Sequence, residues 1–319
     1  VVEDELSTLR FDLEKELDGF FSAIRAGIGY TDRSKSLVPD ESFVVLASGA
    51  ADLRIPDQYL LRPTNLDYLG LGPVISYNPQ ELLDAGIYRL VPNTVSDVGT
   101  KAYVIDEQLL TGYLQAAIDT EVGSSNLTGN VGVQIIRADQ SSSGAIYFGN
   151  TPTPLTNGTK YTDVLPSLNL ALRTPSDFVF RVGLSRQIQR PRMDDMRVAI
   201  GYGVDRGGAV PIIRGKGGNP FLEPMRANAL DLTLEKYFGN KGYVSVQLYY
   251  KKLLNWIYKV DVPYDFTGFP LGSEVVPSRN GFVELPINGD GGKLYGIELA
   301  GTLPLETFTS ALEGFGVTG

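Results

Sequence analysis

Residues 230–251 read Leu-Asp-Leu-Thr-Leu-Glu-Lys-Tyr-Phe-Gly-Asn-Lys-Gly-Tyr-Val-Ser-Val-Gln-Leu-Tyr-Tyr-Lys. Apolar and polar side chains alternate on both sides of residues 239–242, and this period of two is typical of a strand with one apolar face. Leu230, Leu232 and Leu234 share one face of the first strand, and acidic and hydroxyl side chains occupy the other. The connection is short enough for a tight turn. The stretch therefore predicts a β-hairpin.

The same alternation recurs along the whole chain. Outside this hairpin it predicts strands in residues 8–17, 24–30, 100–121, 127–137, 164–173, 178–187 and 295–303, and the beginning of another in 315–319. The 36 glycines, 17 tyrosines and 14 phenylalanines, set against only 3 methionines, agree with an all-β chain. We therefore predict nine strands and the start of a tenth.

The connections between these strands alternate in length. Short ones lie at 18–19, 123–126, 174–176, 239–242 and 305–314, and long ones cover 33–98, 140–159, 191–225 and 259–291. A transmembrane β-barrel has short turns on one side of the membrane, long loops on the other, and strands of about 9–11 residues. The pattern therefore predicts an antiparallel transmembrane β-barrel with short periplasmic turns and long extracellular loops. A soluble β-sandwich with one solvated face is the alternative.

The polar face of the predicted strands carries charges of both signs, which favours ion pairs along the wall over a channel of a single sign. One of the long loops also contains a short helix signal in residues 78–86. It has asparagine at the N-cap, proline at the first helical position and a closing glycine. We therefore expect at least part of this loop to be ordered.

The composition removes several classes of chemistry. The 319 residues include no cysteine and no histidine, which excludes disulfides, cysteine-ligated metal sites and cysteine or histidine catalysis. A pair of carboxylates could still act in acid–base catalysis. The 37 acidic and 28 basic residues give a net charge of −9, which argues against a nucleic-acid-binding protein. We expect no enzyme, no catalytic residue, no metal site and no cofactor.

Four sequence blocks, in this order, carry a resemblance to a known family. They are residues 10–36, ending in Tyr-Thr-Asp-Arg-Ser-Lys-Ser, residues 184–195, the Gly-Asn-Pro-Phe-Leu-Glu-Pro block at 218–224, and residues 288–298. Together they resemble the TonB-dependent receptors of the bacterial outer membrane, in the Caulobacter/Xanthomonas-type branch. The resemblance covers nearly the whole chain.

The resemblance implies a barrel of about 22 strands, a plug domain and a TonB box. Residues 1–319 would then be a partial barrel domain of 9–10 strands, without the plug and the C-terminal strands. It further implies uptake of a scarce small molecule, driven by the proton gradient through the TonB complex, which binds the missing N-terminal region. We expect an oligosaccharide substrate, or otherwise a siderophore or cobalamin. A passive porin-like channel in the outer-membrane lipid is the alternative function.

Two groups of loop residues are candidates for substrate binding. Tyrosines in the first long loop have rings that could stack on sugars, and they are Tyr59, Tyr68, Tyr77 and Tyr88. A charged group follows the strand at 178–187 and would contact a ligand or the plug, or form a salt-bridged rim: Arg190, Arg192, Asp194 and Asp195.

Two further motifs have structural interpretations. The prolines at 220 and 224 favour extended backbone before them, which predicts that this block directs a loop into a strand. Residues 288–292, Asn-Gly-Asp-Gly-Gly, lack the spacing of a calcium loop and are predicted to be a flexible loop tip.

Overall fold

The computed structural model describes residues 1–239 and 242–319. The strands in these ranges are β1 (Val2–Glu16), β2 (Phe21–Leu37), β3 (Ser42–Leu46), β4 (Leu60–Asn65), β5 (Pro73–Tyr77), β6 (Tyr88–Pro92), β7 (Tyr103–Val122), β8 (Ser125–Phe148), β9 (Thr151–Arg173), β10 (Phe178–Gln189), β11 (Ile200–Asp205), β12 (Ile212–Gly217), β13 (Met225–Phe238), β14 (Gly242–Asp265), β15 (Asn280–Pro304) and β16 (Gly316–Thr318). Two short helices are α1 (Pro79–Asp84) and α2 (Ser96–Gly99).

Ten of these strands form the wall of the molecule. In chain order they are β1, β2, β7, β8, β9, β10, β13, β14, β15 and β16, and each pairs antiparallel with the next. This up-and-down order confirms the predicted all-β architecture, with nine full strands and a short tenth. The predicted turn at 239–242 includes residues 240 and 241, which lie outside the described residues.

An apolar belt runs around the outside of the wall in strict register. Leu232 lies opposite Val182 on one side and Leu248 on the other, and Leu248 lies opposite Ile297. Residues that face each other across antiparallel strands point to the same side of the sheet. Leu232 is 37% exposed although it lies within the wall, so the belt lies on the surface and no second protein layer covers it. This is the surface that hydrocarbon requires.

The opposite face of the wall is polar and forms the lumen. Arg181 donates to Glu235 on the neighbouring strand at 2.8 Å, and Arg25 donates to Glu14 at 2.8 Å. These pairs join adjacent strands, as the mixture of charges predicted. They lie in a water-accessible interior, where such pairs fix side-chain positions more than they add stability.

The ends of the wall strands that carry the long loops are closed by a hairpin from one of those loops. β11 and β12 pair antiparallel with each other. β11 also pairs parallel with the end of β8, and β12 pairs parallel with the start of β15. The hairpin thereby completes a circuit of eight strands: β8, β9, β10, β13, β14, β15, β12 and β11.

The first long loop has its own secondary structure. It contains the hairpins β3–β6 and β4–β5 and both helices. The predicted helix is α1, and the Asn78 side chain accepts a hydrogen bond from the Gln80 amide at 3.1 Å, which is the expected N-cap. Within the described residues, none of the helices is both long and apolar enough to cross a membrane.

The structure corrects the bounds of two predicted long loops. Residues 140–159 are mostly strand, because β8 and β9 continue to a turn at residues 149–150, with Ser141 opposite Gly158. The loop predicted at 259–291 is reduced to residues 266–279. These hairpin extensions rise beyond the apolar belt, so their side chains lose the alternation that marks a strand in lipid.

The prediction of a flexible loop tip at 288–292 was wrong. These residues lie inside β15, with Gly289 opposite Trp256 and Gly292 opposite Leu253. A Cβ on Gly291 would lie 2.0 Å from the backbone oxygen of Leu253. The glycines therefore allow close backbone approach within a paired strand rather than mobility.

The belt predicts a difference between neighbouring residues of β13. We expect Leu232→Arg to lower the free energy of unfolding in lipid vesicles by about 2–4 kcal/mol, because it places a charge in hydrocarbon. Thr233→Arg points into the lumen, where like charge with Arg181 opposite costs up to about 1 kcal/mol. A urea titration of both variants measures the difference, and equal losses would contradict the assignment of the two faces.

Candidate functional site within the lumen

Residues 190–226, here called the inner segment, run from the end of β10 into the first residues of β13 and pack against the lumen face of the wall. The wall residue Glu107 binds this segment and lies an odd number of residues from Leu110 and Leu114, two members of the outer belt. Successive side chains of a strand alternate between its faces, so Glu107 points inward. Gln140, which also binds the segment, lies opposite Glu107 and shares this face.

Two ion pairs, each with a buried carboxylate and a partly buried arginine, hold the ends of the inner segment. Arg190 donates to Glu107 on β7 at 3.1 Å, and Glu107 is only 3% exposed. Arg226 binds Asp163 on β9 through two nitrogens, one of them at 3.2 Å, and Asp163 is 4% exposed. Arg226 also donates to Glu223 at 2.9 Å. Buried carboxylates need such partners, because an isolated buried charge is costly.

Amide side chains of the wall bind the backbone of residues 219–226. Gln140 donates to the Leu222 carbonyl at 2.6 Å. Asn288 accepts from the Glu223 amide at 2.8 Å and donates to the Glu223 carbonyl at 2.7 Å. Asn255 donates to the Pro224 carbonyl at 2.9 Å and accepts from the Arg226 amide at 2.7 Å. An irregular backbone inside a protein needs partners of this kind.

Apolar packing adds to these hydrogen bonds. Leu222 is fully buried beside Met193 and Met196 of the same segment and Tyr103 and Ile105 of β7. The block at 218–224 therefore has the structural role that its prolines predict. It lies across the inside of the wall and directs the chain into β13.

A second cluster stabilises the loop end of the molecule. Tyr202 of β11 packs against Phe266 with ring centroids 5.0 Å apart and against Phe148 at 5.4 Å. Its hydroxyl donates to the Pro270 carbonyl at 2.6 Å. Burial raises the pKa of Tyr202 above its usual value, so the phenol stays protonated and keeps this bond at neutral pH. The cluster fixes the β11–β12 hairpin to the loop at 266–279.

The charged candidates from the sequence all lie on the inner segment, but in different environments. Arg190 is partly buried and anchors the segment through the buried Glu107. Arg192 and Asp194 form an exposed ion pair at 2.8 Å. Asp195 accepts from the Asn219 amide through its backbone oxygen at 2.8 Å, and its carboxylate lies 3.7 Å from Lys259. Contact of any of these residues with a ligand stays a prediction.

The four candidate tyrosines all lie in the first long loop. Desolvation raises the pKa of Tyr88 above its usual value, and the nearby Tyr77 hydroxyl contributes. Tyr59 is next to Leu60, which pairs with Tyr77. Tyr68 lies beyond β4 and is strongly exposed. The structure therefore places all four rings in this loop, and their binding of a substrate stays a prediction.

Little in the sequence marks the wall residues that hold the inner segment. Glu107, Gln140 and Asp163 lie on strand stretches whose alternation is weak. The motif at 288–292 stands out in the sequence. The structure places it inside β15, where Asn288 binds the backbone of Glu223. Within residues 1–239 and 242–319, no group of three or more acidic side chains has a geometry that would hold a metal ion.

The buried ion pair at Arg190 predicts a large effect of its removal. We expect Arg190→Ala to lower the free energy of unfolding by about 3–5 kcal/mol, because it leaves the Glu107 carboxylate buried without a partner. The matched control is Arg54→Ala, which breaks the exposed pair with Asp57 and should cost less than about 1 kcal/mol. Denaturant titration in vesicles measures both, and similar losses would show that the Glu107 pair does not anchor the segment.

Comparison with known proteins agrees with this geometry. Residues 3–318 match the family described as TonB dependent receptor-like, beta-barrel. No curated protein matches the chain. Similar solved structures include the ferric enterobactin receptor PfeA of Pseudomonas aeruginosa, as one mutant alone and as another in complex with enterobactin, each with 13% identity and a TM-score of 0.46. Both alignments cover 95% of this chain and 42% of the receptor.

Another similar structure is the siderophore receptor PirA of Acinetobacter baumannii, with 11% identity and a TM-score of 0.37 over 94% of this chain and 42% of that one. The chain thus spans 42% of the length of these receptors. Family members are transporters of the bacterial outer membrane and not enzymes. The family match over nearly all residues, on a wall that is apolar outside and charged inside, shows that this chain belongs to the TonB-dependent receptor β-barrel family.

Proposed function

We propose that this chain is part of an outer-membrane receptor that imports a scarce small molecule, driven by the proton gradient through the TonB complex. The observation that carries the proposal is the apolar belt around a charged lumen in a chain of this family. The belt also argues against a soluble β-sandwich, whose apolar faces would be covered by protein.

We further propose that residues 1–319 form one part of a larger barrel of the Caulobacter/Xanthomonas-type branch, with a plug domain and more strands encoded outside this range. In the described residues, the 15-residue strand β1 pairs with β2 alone. An open strand edge is unstable in hydrocarbon, because the backbone N–H and C=O groups of the edge strand would have no hydrogen-bond partners. Another strand beside β1 supplies those partners.

The proposed substrate is an oligosaccharide, with a siderophore or cobalamin as the second choice. The support is the group of tyrosines in the first long loop, which are Tyr59, Tyr68, Tyr77 and Tyr88. Aromatic rings offer an apolar face to a sugar ring and a hydroxyl group to its edge. Tyr68 adds a strongly exposed ring in the same loop.

Energy dependence separates the proposed receptor from a passive pore. Cells that express the intact receptor containing this barrel segment should take up labelled maltoheptaose or labelled ferric enterobactin. A protonophore should reduce this uptake to the level of cells without the receptor, because import needs the proton gradient.

The matched control is a passive porin expressed in the same cells, whose solute flux should survive the protonophore. Saturable uptake that is insensitive to the protonophore and to loss of TonB would contradict the proposal and favour a porin-like channel. Comparing the two labelled solutes also tests the choice of oligosaccharide over siderophore.

A further inference from the structure

A row of cationic side chains crosses the outer face of four neighbouring wall strands. Arg186 of β10 lies opposite Asn228 of β13, which lies opposite Lys252 of β14. Lys252 in turn lies opposite Lys293 of β15. Residues that face each other across antiparallel strands share a face, and Lys252 is four residues from Leu248 of the apolar belt, so the row lies outside. All four side chains are exposed. We call these residues the cation row.

The cation row lies at the edge of the apolar belt nearer the long loops. The outward-facing positions two residues nearer the short turns are Leu184, Leu230, Tyr250 and Tyr295. On the loop side of the row, β14 turns Trp256 and Tyr258 outward, and these rings are 48% and 43% exposed. Tryptophan and tyrosine concentrate at the interface between membrane and water. The row therefore lies at the depth of the lipid headgroups, which long basic side chains reach.

The charges of the cation row have no counter-charge in the protein. Within residues 1–239 and 242–319, no carboxylate forms an ion pair with Arg186, Lys252 or Lys293. Lys252 and Lys293 lie directly opposite each other, and like charges in that position repel. Elsewhere on the wall, by contrast, Lys160 of β9 pairs with Asp139 of β8 at 2.5 Å. The row is thus a local excess of positive charge.

The donors of the cation row suit the oxygens of a phosphate group. Arg186 donates through Nε to the Asn228 side chain at 2.9 Å, and this bond uses one of its three guanidinium nitrogens. Guanidinium and ammonium groups are the usual protein donors to phosphate. Neighbouring strands are about 4.8 Å apart, so the three cations span about 14 Å across the wall. An anionic headgroup above the row would relieve the repulsion between the two lysines.

The neighbouring belt identifies the anion as part of a lipid. Leu184, Leu230 and Tyr250 continue the same face toward the short turns, and this surface would contact acyl chains. A lipid whose headgroup binds the row has its chains beside these residues, whereas a dissolved anion makes no use of the apolar surface. The row and the belt together therefore match both halves of an anionic lipid.

We propose that the cation row binds the phosphate headgroup of an anionic lipid in the leaflet on the side of the long loops. The acyl chains of this lipid lie along the belt residues next to the row. The inference concerns the outer surface of the wall. It goes beyond the proposed uptake function and does not depend on which solute is imported.

Trp256 is a built-in reporter for such a lipid. It is the only tryptophan of the chain and lies four residues from Lys252 on the same face of β14, about 13 Å along the strand. The intact receptor is placed in phosphatidylcholine vesicles, and the emission that Trp256→Phe removes is assigned to Trp256. Phosphatidic acid with brominated acyl chains should quench this emission with an association constant at least about fivefold above that of brominated phosphatidylcholine, the preference that one basic residue near an anionic headgroup supplies.

Charge substitutions locate the preference. Lys252→Gln together with Lys293→Gln should bring the two association constants within about twofold of each other, whereas Lys252→Arg should keep the preference of the parent. The matched control is Lys251→Gln, which removes the same charge from the adjacent residue. Lys251 lies opposite the buried Ala229 and points into the lumen, so this variant should behave like the parent. Equal quenching by brominated phosphatidylcholine in all variants shows that each has inserted. If the double variant does not insert, Lys252→Gln alone gives the same test.

Three results would overturn the inference. They are equal association of the two brominated lipids with the parent, a preference that survives Lys252→Gln with Lys293→Gln, or an equal loss in Lys251→Gln. The measurement uses no imported solute, so its outcome is separate from that of the uptake experiment. Uptake that resists the protonophore would contradict the proposed function and leave the lipid site unaffected.

Discussion

The structure depends on the backbone hydrogen bond in hydrocarbon. Lipid offers no partner to an N–H or C=O group, so each wall strand must bond to a neighbour along its whole length. Once strands are paired in this way, the pleat places alternate side chains on opposite faces. The register that joins Leu232 to Leu248 and Ile297 follows from this requirement. The outer face then has to be apolar, and the inner face is free to carry charge.

The inner segment packs against this polar inner face of the wall. An irregular chain inside a protein needs partners for its backbone groups, and the polar wall supplies them through side chains such as Gln140, Asn255 and Asn288. The ion pairs of Arg190 and Arg226 fix both ends. Replacing buried pairs by apolar residues is often neutral for stability, whereas leaving one partner alone is costly. The pairs therefore specify where the segment lies more than they stabilise the barrel.

The sequence predicted the part of the fold that lipid constrains. Alternation is strong where one face meets hydrocarbon and the other meets water, so the strand cores around Leu168, Val182 and Leu248 were recognisable. Beyond the belt both faces of a strand meet water or protein, so apolar and polar side chains no longer need to alternate. Residues 259–261 of β14 are all exposed, and residues 141–143 of β8 are serines, so neither stretch carries a period. The sequence of the hairpin extensions therefore resembles that of loops, and the small strands within the loops carry no signal of their own.

The site was less predictable than the fold, because it depends on pairing between distant strands. The charges at 190–195 marked the inner segment, but only the register shows that Glu107 and Gln140 lie opposite each other and share a face. Leu222 gave no signal either, since a single apolar residue within a proline-rich block resembles ordinary packing. It is buried beside Tyr103 and Ile105 of β7, which lie far away in the chain. The wall thus fixes the position of a local motif that the sequence alone does not place.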